Sequence, residues 1–177
     1  MKKEFDITIH LQAFLLRSDI PPEGKYLYGR ENEPIEPKLK EPLYTAAIDA
    51  GLTKMRRPSI VPYTLPSLEA TEYAKEEGKQ EQFQKACYKS YWEESQDIGK
   101  LNVLKDIAIN CGLDWDQLEL GLRSGFYRDK VLNQYKAALE IGFRGIPAFV
   151  IGNNGFTGAV PYDIFKQMAQ EAMTSST

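Results

Sequence analysis

A chain of 177 residues, 42% hydrophobic and 27% charged, has the length of one domain, or of one domain with a sizeable insertion, and enough apolar content to bury a core. Its formal net charge of −3 argues against nucleic-acid or membrane-surface binding, and no apolar run approaches the roughly 20 residues a membrane span needs. Two isolated cysteines, Cys87 and Cys111, make no disulfide framework, so a reducing, cytoplasmic setting is expected. The opening MKKEFDITIH turns charged and alternating too early to read as a signal peptide.

In chain order, Phe5, Ile7, Ile9 and Leu11 alternate with Asp6, Thr8, His10 and Gln12. That period predicts a strand with one buried face, near a sheet edge. The proline-rich residues 17–42 predict a long irregular connection. Helices then dominate. Pro42 suits a first turn and Gly51 a C-terminal stop, and SLEATEYAKEEG stops at Gly78. In the next segment Phe83, Ala86, Cys87, Ser90 and Tyr91 share one helical face. Val103, Leu104, Ile107, Ala108 and Cys111 repeat the pattern before Gly112. Asp114 and Gln117 have capping-box spacing, and a further helix aligns Val131, Tyr135 and Leu139 before Gly142.

The chain then returns to strand. AFVIG predicts a strand buried on both faces, NNG a hairpin turn and FTGAV the return strand. Pro161 opens a last helix whose apolar stripe is Ile164, Phe165, Met168 and Ala172.

Few residues offer chemistry on their own. Cys87 and Cys111 sit on apolar stripes, where a free cysteine behaves as a small buried hydrophobe; a structural role outweighs a redox pair across helices. His10 is the single histidine, on the polar face of its segment, which leaves no metal cluster and no His-based triad. RRPSIVPY, residues 56–63, reads as a solvated loop or a small basic patch. The aromatics of GFYRDK and YKSYWEE read as packing.

Three stretches together resemble a known family: FLLRSDIPPEG, the helical run that begins PSLEATEYAKEEG, and above all GIPAFVIGNNGFTGAVPYDIFKQ. They resemble the DsbA-like thioredoxin-fold family, and Pro21-Pro22-Glu23-Gly24 favours its FrnE-like dithiol oxidoreductase branch. The resemblance implies an α/β, thioredoxin-like (DsbA-type) sheet with an inserted helical subdomain. Residues 1–20 and 143–177 would form a partial thioredoxin-like core, and 40–142 the helical insertion and connecting helix. It further implies a cis bond between Ile146 and Pro147 and a substrate-binding loop of Gly145, Ile146 and Pro147. Arg144 joins that loop as an anchor for an acidic group such as a glutathione carboxylate, or caps a helix end.

Family members carry a Cys-x-x-Cys pair at a helix N-terminus, where the helix dipole activates the first thiol. This sequence starts near the family's second strand and holds no such pair, so no catalytic residue is assigned and the chain is expected to be N-terminally incomplete and inactive as written. The implied partners are a thiol or disulfide substrate, a peptide or glutathione, with no metal, no nucleic acid and no membrane. An alternative is a kappa-class glutathione transferase or 2-hydroxychromene-2-carboxylate isomerase relative, which would use glutathione; another is a non-catalytic binding protein. Without a central strand, FDITIHL and AFVIG either pair directly or find a β-edge in a second copy, and the homodimer is favoured.

Overall fold

The computed structural model describes residues 1, 4–27 and 36–174. They divide into two units, Arg17–Leu132 and Met1–Leu16 with Asn133–Thr177.

The larger unit is built on helices. After a two-residue strand β1 (Lys25–Tyr26), α1 (Leu43–Asp49) and a second short strand β2 (Ile60–Val61), it runs through α2 (Leu65–Glu76), α3 (Gln80–Trp92), α4 (Leu101–Asn110) and α5 (Trp115–Ser124) into the start of α6 (Arg128–Ile141). The apolar stripes meet as their spacing dictates. Phe83, Leu104 and Leu118 are fully buried, and Ala70, Ala74, Ile107, Ala108 and Leu122 pack in the same cluster. α2, α4 and α5 stop where a glycine takes a left-handed φ, at Gly78 (69°), Gly112 (68°) and Gly125 (70°). Asp114 caps α5 by accepting the Gln117 N–H at 3.1 Å. Asp114→Ala is therefore expected to cost about 1 kcal/mol in urea denaturation.

Two expectations for this unit are corrected. RRPSIVPY is not wholly a loop, and the connection over 17–42 is not wholly irregular. Ile60 and Val61 pair antiparallel with Tyr26 and Lys25, and Leu27 N–H extends the ladder to Ser59 O at 2.7 Å. Gly24 makes the close approach possible. Its φ is 78°, and a Cβ there would lie 3.0 Å from the Ile60 side chain. Strands of two residues are too short to show a period.

The smaller unit holds the rest of α6, β3 (Ala148–Ile151), β4 (Asn154–Thr157) and α7 (Tyr162–Thr174). β3 and β4 form an antiparallel hairpin with Ile151 opposite Asn154. The turn is Gly152-Asn153, one residue ahead of the expected NNG, and the return strand starts two residues earlier than FTGAV. Gly152 decides this: its φ of 59° is what a primed two-residue turn demands of its first central residue. Phe149, Phe156 and Phe165 close the hairpin against α7, with ring centroids 4.9 to 5.2 Å apart. β3 is not buried on both faces, since Val150 is 55% exposed, and on α7 Ile164 is exposed while Ala169 takes the buried place.

The alternating segment at the start forms no strand. Residues 6–15 join no sheet, so the direct ladder between FDITIHL and AFVIG is not made among the described residues. The chain start is held by α7 instead. The Met1 amine donates to Tyr162 Oη at 2.7 Å, that hydroxyl donates to Glu4 Oε1 at 2.9 Å, and Lys166 Nζ lies 3.1 Å from Glu4 Oε2. Tyr162 and Lys166 together hold the Glu4 carboxyl below its usual range. Further on, Ala13 N–H donates to Gln134 Oε1 at 2.6 Å and Phe14 meets Tyr135 edge-on. No residue of the alternating run is buried: Phe5 and Ile7 are half-buried, Ile9 and Leu11 stay exposed, and only Ala13 and Leu15 just beyond it are buried. An alternating pattern supplies a face, but a strand also needs a ladder partner.

Candidate functional site

The site is assembled where α6 ends. Gly142, at φ 103°, turns the chain out of the helix, and Phe143 N–H closes back on Ala138 O at 3.0 Å. Arg144 then folds over that end. Its Nη1 donates to Leu139 O at 2.7 Å and to Phe143 O at 3.0 Å. A guanidinium on the last carbonyls of a helix offsets the negative end of the dipole. Phe143 lies beneath the hairpin, its ring 3.2 Å from where a Cβ on Gly155 would sit, so a larger residue at 155 would make the ring shift by a few tenths of an ångström.

Gly145, Ile146 and Pro147 follow as one loop leading into β3. The Ile146–Pro147 bond is cis, and the Ile146 side chain is 55% exposed. The hairpin register then fixes where each main-chain group points. A two-residue turn makes Ile151 and Asn154 a hydrogen-bonded pair, and the alternation makes Phe149 with Phe156, then Pro147 with Gly158, the next such pairs. Gly158 N–H does donate to Pro147 O at 2.8 Å. The N–H and C=O groups of Ala148 and Val150 therefore point away from β4. Among the described residues no other strand pairs with β3. The site is a short, uncharged β-edge led by a proline loop and flanked by the exposed side chains of Ile146 and Val150. Sequence reasoning found the loop but missed the outward groups of Ala148 and Val150; the Gly-Asn turn, counted as two residues, carried that signal.

The remaining candidates lie elsewhere. His10 is exposed and belongs to no strand. Cys87 and Cys111 are free and buried in the core of the helical unit. Burial, with Cys111 nearby, pushes the Cys87 thiol up to about 12, and burial also raises Cys111. Neither has the exposed, electropositive setting of a reactive thiolate. At pH 8 both are expected to resist Ellman's reagent in the native protein and to react at once in guanidinium. No group of acidic, histidine or cysteine side chains among the described residues could hold a metal ion.

A hairpin and terminal helix behind a cis-proline loop, with a separate helical unit between the chain start and that loop, define a thioredoxin-like α/β protein of the DsbA type. The model of the DSBA-like thioredoxin domain matches residues 3–170, and the chain belongs to that family. The uncharacterized protein YwbO of Bacillus subtilis (strain 168) is 24% identical over 169 residues, which are 92% of this chain and 80% of that protein. Among solved structures, a probable DsbA oxidoreductase, SCO1869 of Streptomyces coelicolor, superposes with a TM-score of 0.68 at 26% identity. That match covers 75% of this chain and 58% of the solved one, so the present chain spans little more than half of that relative.

Proposed function

We propose that this chain is a thiol:disulfide oxidoreductase of the FrnE-like branch whose 177 residues supply the substrate-holding edge and not the attacking thiolate. The observation that carries this reading is the outer edge of β3. Four main-chain groups, on Ala148 and Val150, face away from β4 beside the exposed Ile146–Pro147 loop. An extended segment can add there as a strand, with its main chain giving affinity. The substrate class is an extended peptide carrying a disulfide or dithiol. Glutathione fits less well: it brings two carboxylates, and the Arg144 guanidinium beside the loop is engaged with Leu139 O and Phe143 O. The thiolate that opens a disulfide needs a depressed pKa, and Cys87 and Cys111 are shifted the other way. The same two thiols suit a reducing compartment, and no helix of the described residues is long and apolar enough to cross a membrane.

Val150→Pro tests the edge directly. Proline removes the outward N–H of Val150 and leaves the β3·β4 ladder intact, because that N–H takes no part in it. A fluorescent, cysteine-containing extended peptide is expected to bind the parent chain and to lose about tenfold in affinity with the variant, the worth of one or two such bonds. Unchanged affinity in a folded Val150→Pro chain would remove the basis of this reading. Sedimentation in parallel shows whether a second copy of the chain occupies the same edge. Insulin reduction with a dithiol donor should stay at background; robust turnover lost in Cys87→Ala/Cys111→Ala would assign the chemistry to those two residues instead.

A further inference from the structure

The helical unit carries a groove that the DsbA-like reading leaves unused. Residues 52–57, which follow α1, lie against the C-terminal half of α3, pinned by the Arg56 N–H donating to Trp92 O at 2.9 Å. Between them is a groove of about 380 Å³, within the range of small-molecule sites. Its walls are apolar: Leu52 and Met55 on one side, Tyr88 and Trp92 on the other. Tyr88 and Leu52 are 60% and 52% exposed, so two large apolar side chains face solvent where a core would have buried them. The spacing of Lys85, Tyr88, Lys89 and Trp92 puts all four on one face of α3.

Among the charged groups that line those walls cations outnumber anions by one. Lys85 and Lys89 line the groove beside a single carboxylate, Glu93. Their partners lie on the same helix or just past its end: Lys85 with Glu81 at 2.7 Å and Lys89 with Glu94 at 3.0 Å. Each of these side chains is at least 42% exposed, and pairs of that kind exchange readily for a better-placed anion. The Trp92 indole N–H and the Tyr88 hydroxyl have no hydrogen-bond partner among the described residues, which leaves two donors in the wall of an apolar slot. A flat hydrocarbon body matches the aromatic wall, and an anionic head matches the cations and donors.

We infer that this groove is a binding site for a small aryl carboxylate or sulfonate, with its ring against Tyr88 and Trp92 and its anionic group between Lys85 and Lys89. The inference stands apart from the β3 edge, which belongs to the other unit.

The test uses the full chain and two dyes of nearly the same shape. 8-Anilinonaphthalene-1-sulfonate carries the anion and N-phenyl-1-naphthylamine lacks it. The anionic dye is expected to bind one per chain, with quenching of tryptophan emission, and to bind at least about tenfold tighter than the neutral one, as removal of a charge partner commonly produces. 1-Naphthoate should displace it and naphthalene should not. Lys85→Glu/Lys89→Glu should abolish the preference for the anion. Tyr88→Ala should weaken both dyes; as a mostly exposed residue it can be changed without opening the core. Trp92→Phe should weaken the quenching, because Trp92 lines the groove and Trp115 does not. Near-UV circular dichroism identical to the parent keeps each variant interpretable. Equal affinity for the two dyes, or quenching undiminished by Trp92→Phe, would overturn the assignment.

Discussion

Phe83→Ala is expected to lower stability by about 3–5 kcal/mol in urea denaturation, the usual cost of removing a buried aromatic side chain. Phe83 has no exposed surface and sits in one packed cluster with Ala70, Ala74, Leu104 and Leu118. The neighbours belong to α2, α4 and α5, packed into the same cluster. Against a total of about 5–15 kcal/mol, that loss brings the helical unit to the edge of unfolding near body temperature. The readout is the urea midpoint, with the slope unchanged if the denatured state is the same.

The second large effect is electrostatic. Glu69 and Glu72 lie on α2, each 1% exposed, and Glu76 continues their face. Lys130 places its ammonium 3.2 Å from Glu72 Oε2 and 3.0 Å from Glu76 Oε1. Arg128 Nε reaches Glu69 Oε1 at 3.2 Å, and the Tyr127 hydroxyl donates to Glu76 Oε2 at 2.8 Å. Lys130→Met keeps most of the aliphatic packing and leaves Glu72 buried without its cation. Breaking a fully buried pair costs about 3–5 kcal/mol. Lys130 is 42% exposed, so water takes over part of its role and about 2 kcal/mol is expected. Adding Glu72→Gln should recover part of the loss, and the double-mutant cycle measures how much.

Glu69 makes this network sensitive to pH. Burial raises its carboxyl above the ordinary value, and Arg128 only partly opposes the shift. The folded chain therefore holds that proton more tightly than the unfolded one. Its contribution is complete below the unfolded value, near pH 4, and is lost as pH rises through the folded value. Glu76 runs the other way. Tyr127 and Lys130 depress its carboxyl, so its contribution is present above the unfolded value and is lost on acidification. Glu69→Gln is expected to raise stability at pH 7 relative to pH 5, compared with the parent. Urea midpoints that move in parallel at the two pH values would assign the slope to other groups.

The helical unit was largely legible because its signals are local. Gly78, Gly112 and Gly125 mark ends, Asp114 and Gln117 mark a start, and a 3.6-residue period marks each buried face. What escaped was non-local. Nothing near Glu69 or Glu72 in the sequence announces that Arg128 and Lys130, some 60 residues on, will reach their carboxylates from the surface. β1 and β2 are too short to carry a period. FDITIHLQAF carries a clear one, but Met1, Glu4 and Ala13 bind α7 and α6 rather than a neighbouring strand. The proline loop was legible as a motif. The direction of the Ala148 and Val150 main chain required the register, which a one-residue shift in the turn reverses.

An open strand edge is also a nucleus for fibril growth, and the shape of this hairpin limits that hazard. Pro147 stops the ladder at one end and the Gly152-Asn153 turn at the other, so only two residues present free groups. A cross-β stack needs about six or seven consecutive residues per chain. Two are too few to template one. A passing segment then stays on the edge only if its side chains also find Ile146 and Val150, and the chain can keep an adhesive edge in solution without a lag phase ending in amyloid.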